Sequence, residues 1–269
     1  MGSPLKNSQL VVKSNRLIEA SYRLGLNEQR IILYAICRAR EEQKGLLPDQ
    51  PVTISAEAFS HQFALSDAMS NVYRQLREAM DALFERSVTM HDIDPETSRP
   101  RIRRVRWISE ASYIDGAGRV QVVFAPEVIK YITRLEKEFT SYQLEKVGRM
   151  TSAYAVRLYE LLIQYSETGT RELNLAWLRD VLQIEPGEYK LTADFIKRVL
   201  DVSVEQINKH TDLSISYKAK KTGRAITDFV FRIKSKDIKL KRQVLTDQEL
   251  RDRLEARGQQ RIDDSTEDF

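Results

Sequence analysis

Residues 189–232 place charged side chains at spacings that suit the reading of a polyanion. Asp194, Lys197, Arg198, Asp201 and Glu205 fall at i, i+3, i+4, i+7 and i+11, so on a helix they share one face. Phe195, Val199, Val202 and Ile207 recur at near-helical spacing and are expected to face a core. Lysine and arginine donate to guanine O6 and N7, and aspartate accepts from cytosine N4. Asp194 equally suits the positive end of a helix dipole, in a first turn that Thr192 can cap. For Lys197 and Arg198 the alternative to base contact is a solvated helix face. Beyond the helix, residues 213–217 alternate as a strand. Lys218, Lys220, Lys221 and Arg224 surround a turn at Gly223, and residues 229–233 return. A helix followed by a basic hairpin is the reading half of a winged helix: the helix suits a major groove, the hairpin tip the neighbouring phosphates. The expected ligand is double-stranded DNA.

The first half offers its own candidates. Asn71, Arg74 and Arg77 lie on the polar side of a predicted helix, where Arg74 and Arg77 could instead pair with Glu78 and Asp81. Arg99, Arg101, Arg103, Arg104 and Arg106 form a basic run with no acid inside it. In a strand Arg101 and Arg103 share one face, Arg104 and Arg106 the other. Tyrosine-based nicking of DNA needs a metal held by clustered histidines, whereas His61, His91 and His210 stand apart without metal-ligand spacing. No GxxxxGK[ST] phosphate loop is present. The expectation is therefore a non-enzyme with no metal and no cofactor, with a rolling-circle nicking enzyme and a plain winged-helix repressor as rivals.

The elements that must position these residues fit within 269 residues, room for one large domain or two ordinary ones. The net charge of +4 conceals a gradient: residues 187–242 carry 14 Lys+Arg against 7 Asp+Glu, and residues 243–269 carry 4 against 8. A basic region followed by an acidic tail suits a nucleic-acid binder. The single cysteine, Cys37, lies among Ile31, Ile32, Leu33 and Ile36 as a small core residue, so no internal disulfide can form, in keeping with a reducing cytoplasm. No apolar stretch is long enough to span a bilayer and no secretory signal is visible, so no membrane partner is expected.

Residues 1–25 read as an extended, loosely ordered N-terminal extension. A first domain over 26–135 follows. It comprises a helix from Asn27 to about Gln43, a short strand at 52–54, a helix capped by Ser55, and a helix from Ser66 or Asp67 to about Glu85 buried through Val72, Leu76, Met80 and Leu83. A strand from Val88, one long strand over 101–113 and another over 119–124 complete it, with Pro126 opening a helix. A charged, helical join over 130–150 holds the linker, 136–150. The second domain, 151–240, repeats the order: helix 152–165, short strand 172–175, helix 176–182, long helix from Thr192, hairpin. A charged, disordered tail over 241–269 is expected. The repeated order implies an α+β protein of two similarly folded domains.

Several segments together resemble the initiator replication proteins of iteron-containing plasmids. They are Leu10-Val-Val-Lys-Ser-Asn-Arg-Leu-Ile-Glu-Ala-Ser21, Leu26-Asn-Glu-Gln-Arg-Ile-Ile-Leu33, Tyr154-Ala-Val-Arg-Leu-Tyr-Glu-Leu-Leu162, Asp194-Phe-Ile-Lys-Arg-Val-Leu200 and Tyr217-Lys-Ala-Lys-Lys-Thr-Gly-Arg224. The resemblance implies two tandem winged-helix domains related by pseudo-symmetry, binding direct repeats in a plasmid origin as a monomer and repressing the protein's own gene as a homodimer joined through the first domain. It implies host DnaA, the replicative helicase and chaperones as partners. It puts base reading on Asp194, Lys197 and Arg198, with Leu191 where the family has a basic base-contacting residue. It puts phosphate contacts on Lys218, Lys220, Lys221 and Arg224, and weaker ones on Ser152 and Tyr154. Asn71, Arg74, Arg77, Arg101, Arg103 and Arg104 are the candidate first-domain contacts. The dimer surface is expected at residues 10–12 and the strand face holding Val105 and Trp107, whose apolar content exceeds what one small core needs.

Overall fold

The chain reads one three-stranded sheet twice. The computed structural model describes residues 9–114, 116–133 and 138–236, so the acidic tail expected at 241–269 lies outside them. In the first half, α2 (Leu26–Glu42), β2 (Val52–Ser55), α3 (Ala56–Gln62) and α4 (Met69–Glu85) precede the hairpin of β5 (Ile108–Ile114) and β6 (Arg119–Phe124). In the second, α7 (Ala153–Ile163), β8 (Thr170–Asn174), α8 (Leu175–Val181) and a long helix over 192–210 precede the hairpin of β9 (Leu213–Thr222) and β10 (Ala225–Ser235). The sheet orders, β2-β6-β5 and β8-β10-β9, are the same arrangement, with the short early strand beside the last strand of the hairpin. Two winged helices thus stand in tandem.

Local chemistry sets the elements. Ser55 Oγ accepts from the Ala58 N–H at 3.1 Å to cap α3, and Asn174 caps α8 through two N–H groups. Along α4 the buried stripe is Val72, Leu76, Ala79, Met80 and Leu83. Pro126 opens α5 (Pro126–Ile132), where a missing N–H costs nothing.

Four expectations fail in whole or in part. The strand expected over 101–113 is two strands, because the chain turns inward at Trp107. β4 (Pro100–Arg106) pairs with β3 (Ser87–Ile93) in a separate two-stranded sheet, while β5 joins β6. The expected loose extension is ordered from Gln9: β1 (Leu10–Ser14) pairs antiparallel with β7 (Phe139–Gln143), and a short turn of helix, α1 (Asn15–Ile18), follows. The join expected as a helix is therefore partly strand, with α5 before it and α6 (Glu145–Gly148) after it. Val11, Val12 and Trp107, assigned to a dimer surface, are fully buried in the chain's own core, while Leu10 and Val105 are half-buried.

A polar seam runs from β1 and the segment after it to the second half. Glu160 on α7, 1% exposed, accepts from Lys13 Nζ (2.7 Å), Tyr142 Oη (2.6 Å), Tyr22 Oη (3.3 Å) and Arg157 (3.3 Å). The Arg157 guanidinium lies 3.6 Å from the centroid of the Tyr22 ring, which in turn meets Trp107 edge-on at 4.9 Å. Ser21–Asp180, Arg23–Glu188 and Arg171–Glu19 continue the seam toward the surface.

Candidate nucleic-acid interface

The helix over 192–210 carries the residues singled out in the second half, and its geometry departs from a plain α-helix. Leu191, not Thr192, is its N-cap, with no side-chain capping bond; its carbonyl accepts from the N–H groups of Asp194 (3.0 Å) and Phe195 (3.2 Å). After α9 (Thr192–Phe195) comes a π-helical turn over Ile196–Leu200, closed by the Asp201 N–H on the Ile196 carbonyl, and then α10 (Asp201–His210). A π turn takes in one extra residue, so every later side chain rotates back by about one position. This is why Ser203 is buried where Val202 was expected, and why Val202 is exposed. Phe195, Val199 and Ile207 face the core as expected.

Lys197 and Arg198 both lie on the π turn. Both are exposed, and neither makes an ion pair among the described residues. Asp194 is half-buried in the first turn. Asp201 is tied to the hairpin, accepting from Tyr217 Oη at 2.5 Å. Burial, and then this bond to a carboxylate, raise the phenol pKa of Tyr217. The Tyr217 ring packs against Phe229 and Phe231, so helix and hairpin are braced against one another.

At the hairpin tip Gly223 has φ +62°, as a two-residue turn of type II′ needs at its first central position. Lys218, Lys221 and Arg224 are exposed around it without ion pairs among the described residues. Lys220 differs, for its ammonium pairs with Glu172 of β8 at 2.7 Å. Among the four expected phosphate-facing cations Lys220 is thus the one held in an ion pair, with its side chain still 58% exposed.

Ser152 caps α7, its Oγ accepting from the Ala155 N–H at 3.3 Å. The N–H groups of Thr151 and Ser152 donate to Gln206 Oε1 at 2.8 and 3.1 Å, which locks this corner to α10. Tyr154 meets Tyr189 edge-on with ring centroids 6.5 Å apart. Gln206, Tyr217, the π turn and Arg179, which holds the loop before the helix through the carbonyls of Glu188 (2.8 Å) and Tyr189 (3.1 Å), were not visible to sequence reasoning. The side chains act through partners distant in the chain, and the π turn breaks the regular helical period, so no local pattern marks them.

First-half candidates are more engaged. Arg74 pairs with Glu78 and also donates to Asn71 Oδ1, both at 2.5 Å, as one of its two readings expects. Arg77 lies 4.8 Å from the centroid of the Tyr113 ring. On β4, Arg101 and Arg103 share a face as expected, and both grip Asp92, each at 2.8 Å. The bond from Arg101, with that from Arg103, lowers the Asp92 pKa to about 2. Arg104 sits on the opposite face, donating to Ser87 Oγ at 3.2 Å. Of the candidates singled out in the second half, Lys197, Arg198, Lys218, Lys221 and Arg224 make no ion pair among the described residues.

Two family models match this architecture half by half: "Initiator Replication protein, WH1" over residues 10–163 and "Initiator Rep protein, WH2" over residues 174–233. The chain belongs to the initiator replication protein family. An uncharacterized 27.6 kDa protein of Escherichia coli is 25% identical over 238 residues, covering 85% of this chain and 96% of that protein. The crystal structure of Pi initiator protein in complex with iteron DNA aligns with a TM-score of 0.66 at 21% identity, over 85% of this chain and 98% of that one, a likeness of fold. The boundary between the two family segments falls after α7, so the first initiator segment includes the helix that carries Arg157 and Glu160. Among the described residues, no helix of this initiator is long and apolar enough to cross a membrane.

Proposed function

We propose that this initiator binds direct repeats in the double-stranded DNA of a plasmid origin, with the helix over 192–210 in the major groove and the β9–β10 hairpin on the flanking backbone. The observation that carries this reading is the coupling of Lys197 and Arg198, exposed and without ion partners among the described residues, to a basic hairpin tip braced to the same helix through Tyr217 and Asp201, where Lys218, Lys221 and Arg224 are likewise unpaired among the described residues. Lys197 and Arg198 are assigned to base edges, where each bidentate contact discriminates by about 1–3 kcal/mol. Asp194 is assigned to the same edge, as an acceptor for cytosine N4. Lys218, Lys221 and Arg224 are assigned to phosphates, Ser152 and Tyr154 to weaker ones. In the first half, Arg104 is the favoured contact, and Arg77 is a further one that would have to leave the Tyr113 ring. Asn71, Arg74, Arg101 and Arg103 would first have to leave their internal partners.

On this reading residues 26–135 and 151–240 act as two DNA-binding domains, with 136–150 between them. The chain binds a single repeat as a monomer and an inverted operator in its own promoter as a dimer. The outer face of the β3–β4 hairpin supports such a dimer, because Ile93 and Ile102 are 59% and 67% exposed there. Changing the geometry of the two domains would require opening the seam around Glu160. Host DnaA, helicase and chaperones belong to the same reading, as does action in the cytoplasm.

The test is binding of the full chain to a labelled duplex carrying one origin repeat, against a scrambled duplex, with sedimentation of the free protein and of the complex. Preference for the repeat, lost on Lys197→Ala or Arg198→Ala with the fold intact, supports the proposal. Equal binding to both duplexes refutes it. Incubation with supercoiled DNA and a divalent metal separates off the nicking alternative, which predicts relaxed product.

A further inference from the structure

Leu191 is 66% exposed, a large apolar side chain left in water at the start of the candidate reading helix. Exposed leucines are common and mean little alone. This one is set apart by how it is held. The loop before it is fixed by Arg179 on two successive carbonyls, by the edge contact of Tyr189 with Tyr154, and by the bidentate pair of Arg23 with Glu188 at 2.8 and 2.9 Å. Tyr189 itself has φ +45°, a left-handed conformation that a non-glycine residue keeps only where its surroundings enforce it. The Leu191 carbonyl is bound into the first turn. A stiff support therefore presents an apolar group to solvent. Along the chain its charged neighbours are exposed Lys190 beside it, half-buried Asp194 one turn on, and exposed Lys197 and Arg198 about two turns on.

We propose that Leu191 reads a thymine, by packing its side chain on the C5-methyl group in the major groove. The inference rests on the reading of this helix as the groove-binding element and adds to it a base-specific apolar contact. Thymine is the one base that offers a methyl group in the major groove, and apolar side chains recognise it by contact. The flanking cations steer a polyanion to this surface, which makes duplex DNA a better occupant than an apolar partner protein.

The experiment uses the full chain and a duplex enriched by it from a random-sequence pool. Each thymine is replaced in turn by deoxyuridine, which removes only the methyl group. One buried methyl is worth about 0.8 kcal/mol, so at one position the parent should bind about fourfold more weakly. Leu191→Ala should bind the thymine duplex more weakly by at least that factor and lose nothing further on the uracil duplex. Leu47→Ala removes another exposed leucine, in the first half, and should keep the full fourfold response. Persistence of the uracil response in Leu191→Ala, or no response at any thymine in the parent, overturns the assignment while leaving DNA reading by this helix intact. A pool that yields no preferred duplex overturns the underlying reading, and this inference with it.

Discussion

Replacing Glu160 should cost far more than replacing its closest cationic partner, because the buried cluster contains two cations and one anion. Lys13, Arg157 and Glu160 are 3%, 2% and 1% exposed. Glu160→Gln keeps the shape but leaves Lys13 and Arg157 buried with no counter-charge. Loss of one side of a buried pair typically costs about 3–5 kcal/mol. Lys13→Met keeps the volume and leaves a balanced Arg157–Glu160 pair. The lost 2.7 Å bond is offset by removing a desolvated ammonium and its repulsion with Arg157. That change should stay within about 1 kcal/mol of the parent, from the same reasoning on buried pairs. The assay is urea unfolding followed by tryptophan emission, since Trp107 lies against Tyr22, and Lys13 Nζ is 5.7 Å from its ring centroid. With a slope of about 2–3 kcal/mol/M, Glu160→Gln should lower the midpoint by about 1–2 M. The acid limb gives a second readout. Burial alone would raise the Glu160 pKa, but Lys13 and Arg157 outweigh it and hold it below the usual 4.5. Its contribution is therefore complete above the unfolded value and lost as pH falls through the lowered folded value. Glu160→Gln should flatten that part of the stability curve. Equal cost for the two substitutions, or less than about 1 kcal/mol for Glu160→Gln, would refute the charge count.

Further outcomes follow from the interface. Lys197→Ala and Arg198→Ala should each weaken binding to the preferred duplex by about 1–3 kcal/mol and relax preference at one base pair, checked by titration against a panel of single-base variants. Lys218→Ala or Lys221→Ala should lower the magnitude of the salt slope of binding by about one, measured between low and moderate salt. Lys220→Ala should change it less, because Glu172 already holds that ammonium; equal slopes for all three would contradict the pairing. Tyr217→Phe removes the bond to Asp201 and should cost about 1 kcal/mol in unfolding experiments. In an NMR pH titration the Asp92 carboxyl should titrate near 2, so its grip on Arg101 and Arg103 is complete above the ordinary value of 3.8 and is lost only as pH falls through about 2.

The sequence by itself determined the repeated element order and the exposed cations of the second half. Both rest on local signals: period-3.6 and period-2 burial, Ser55 as a cap, Pro126 at a helix start, Gly223 at a tight turn. The α4 stripe and the β9–β10 hairpin were legible because each side chain there answers to its own neighbours in the chain. Tertiary structure decided what distant residues do to one another. Arg101 and Arg103 read as free cations until the hairpin register placed Asp92 opposite Arg101 and beside Arg103. Lys220 reads as an unpaired cation in the sequence, whereas the sheet order brings β8, with Glu172, within its reach. Val11, Val12 and Trp107 read as surplus apolar surface until β1 paired with β7 and the chain folded inward after β4. The π turn moved Val202 out and Ser203 in, which no regular period foresees. Propensity and periodicity are sums over near neighbours, whereas ion pairing and burial depend on which segments, far apart in sequence, the fold sets within a few ångströms.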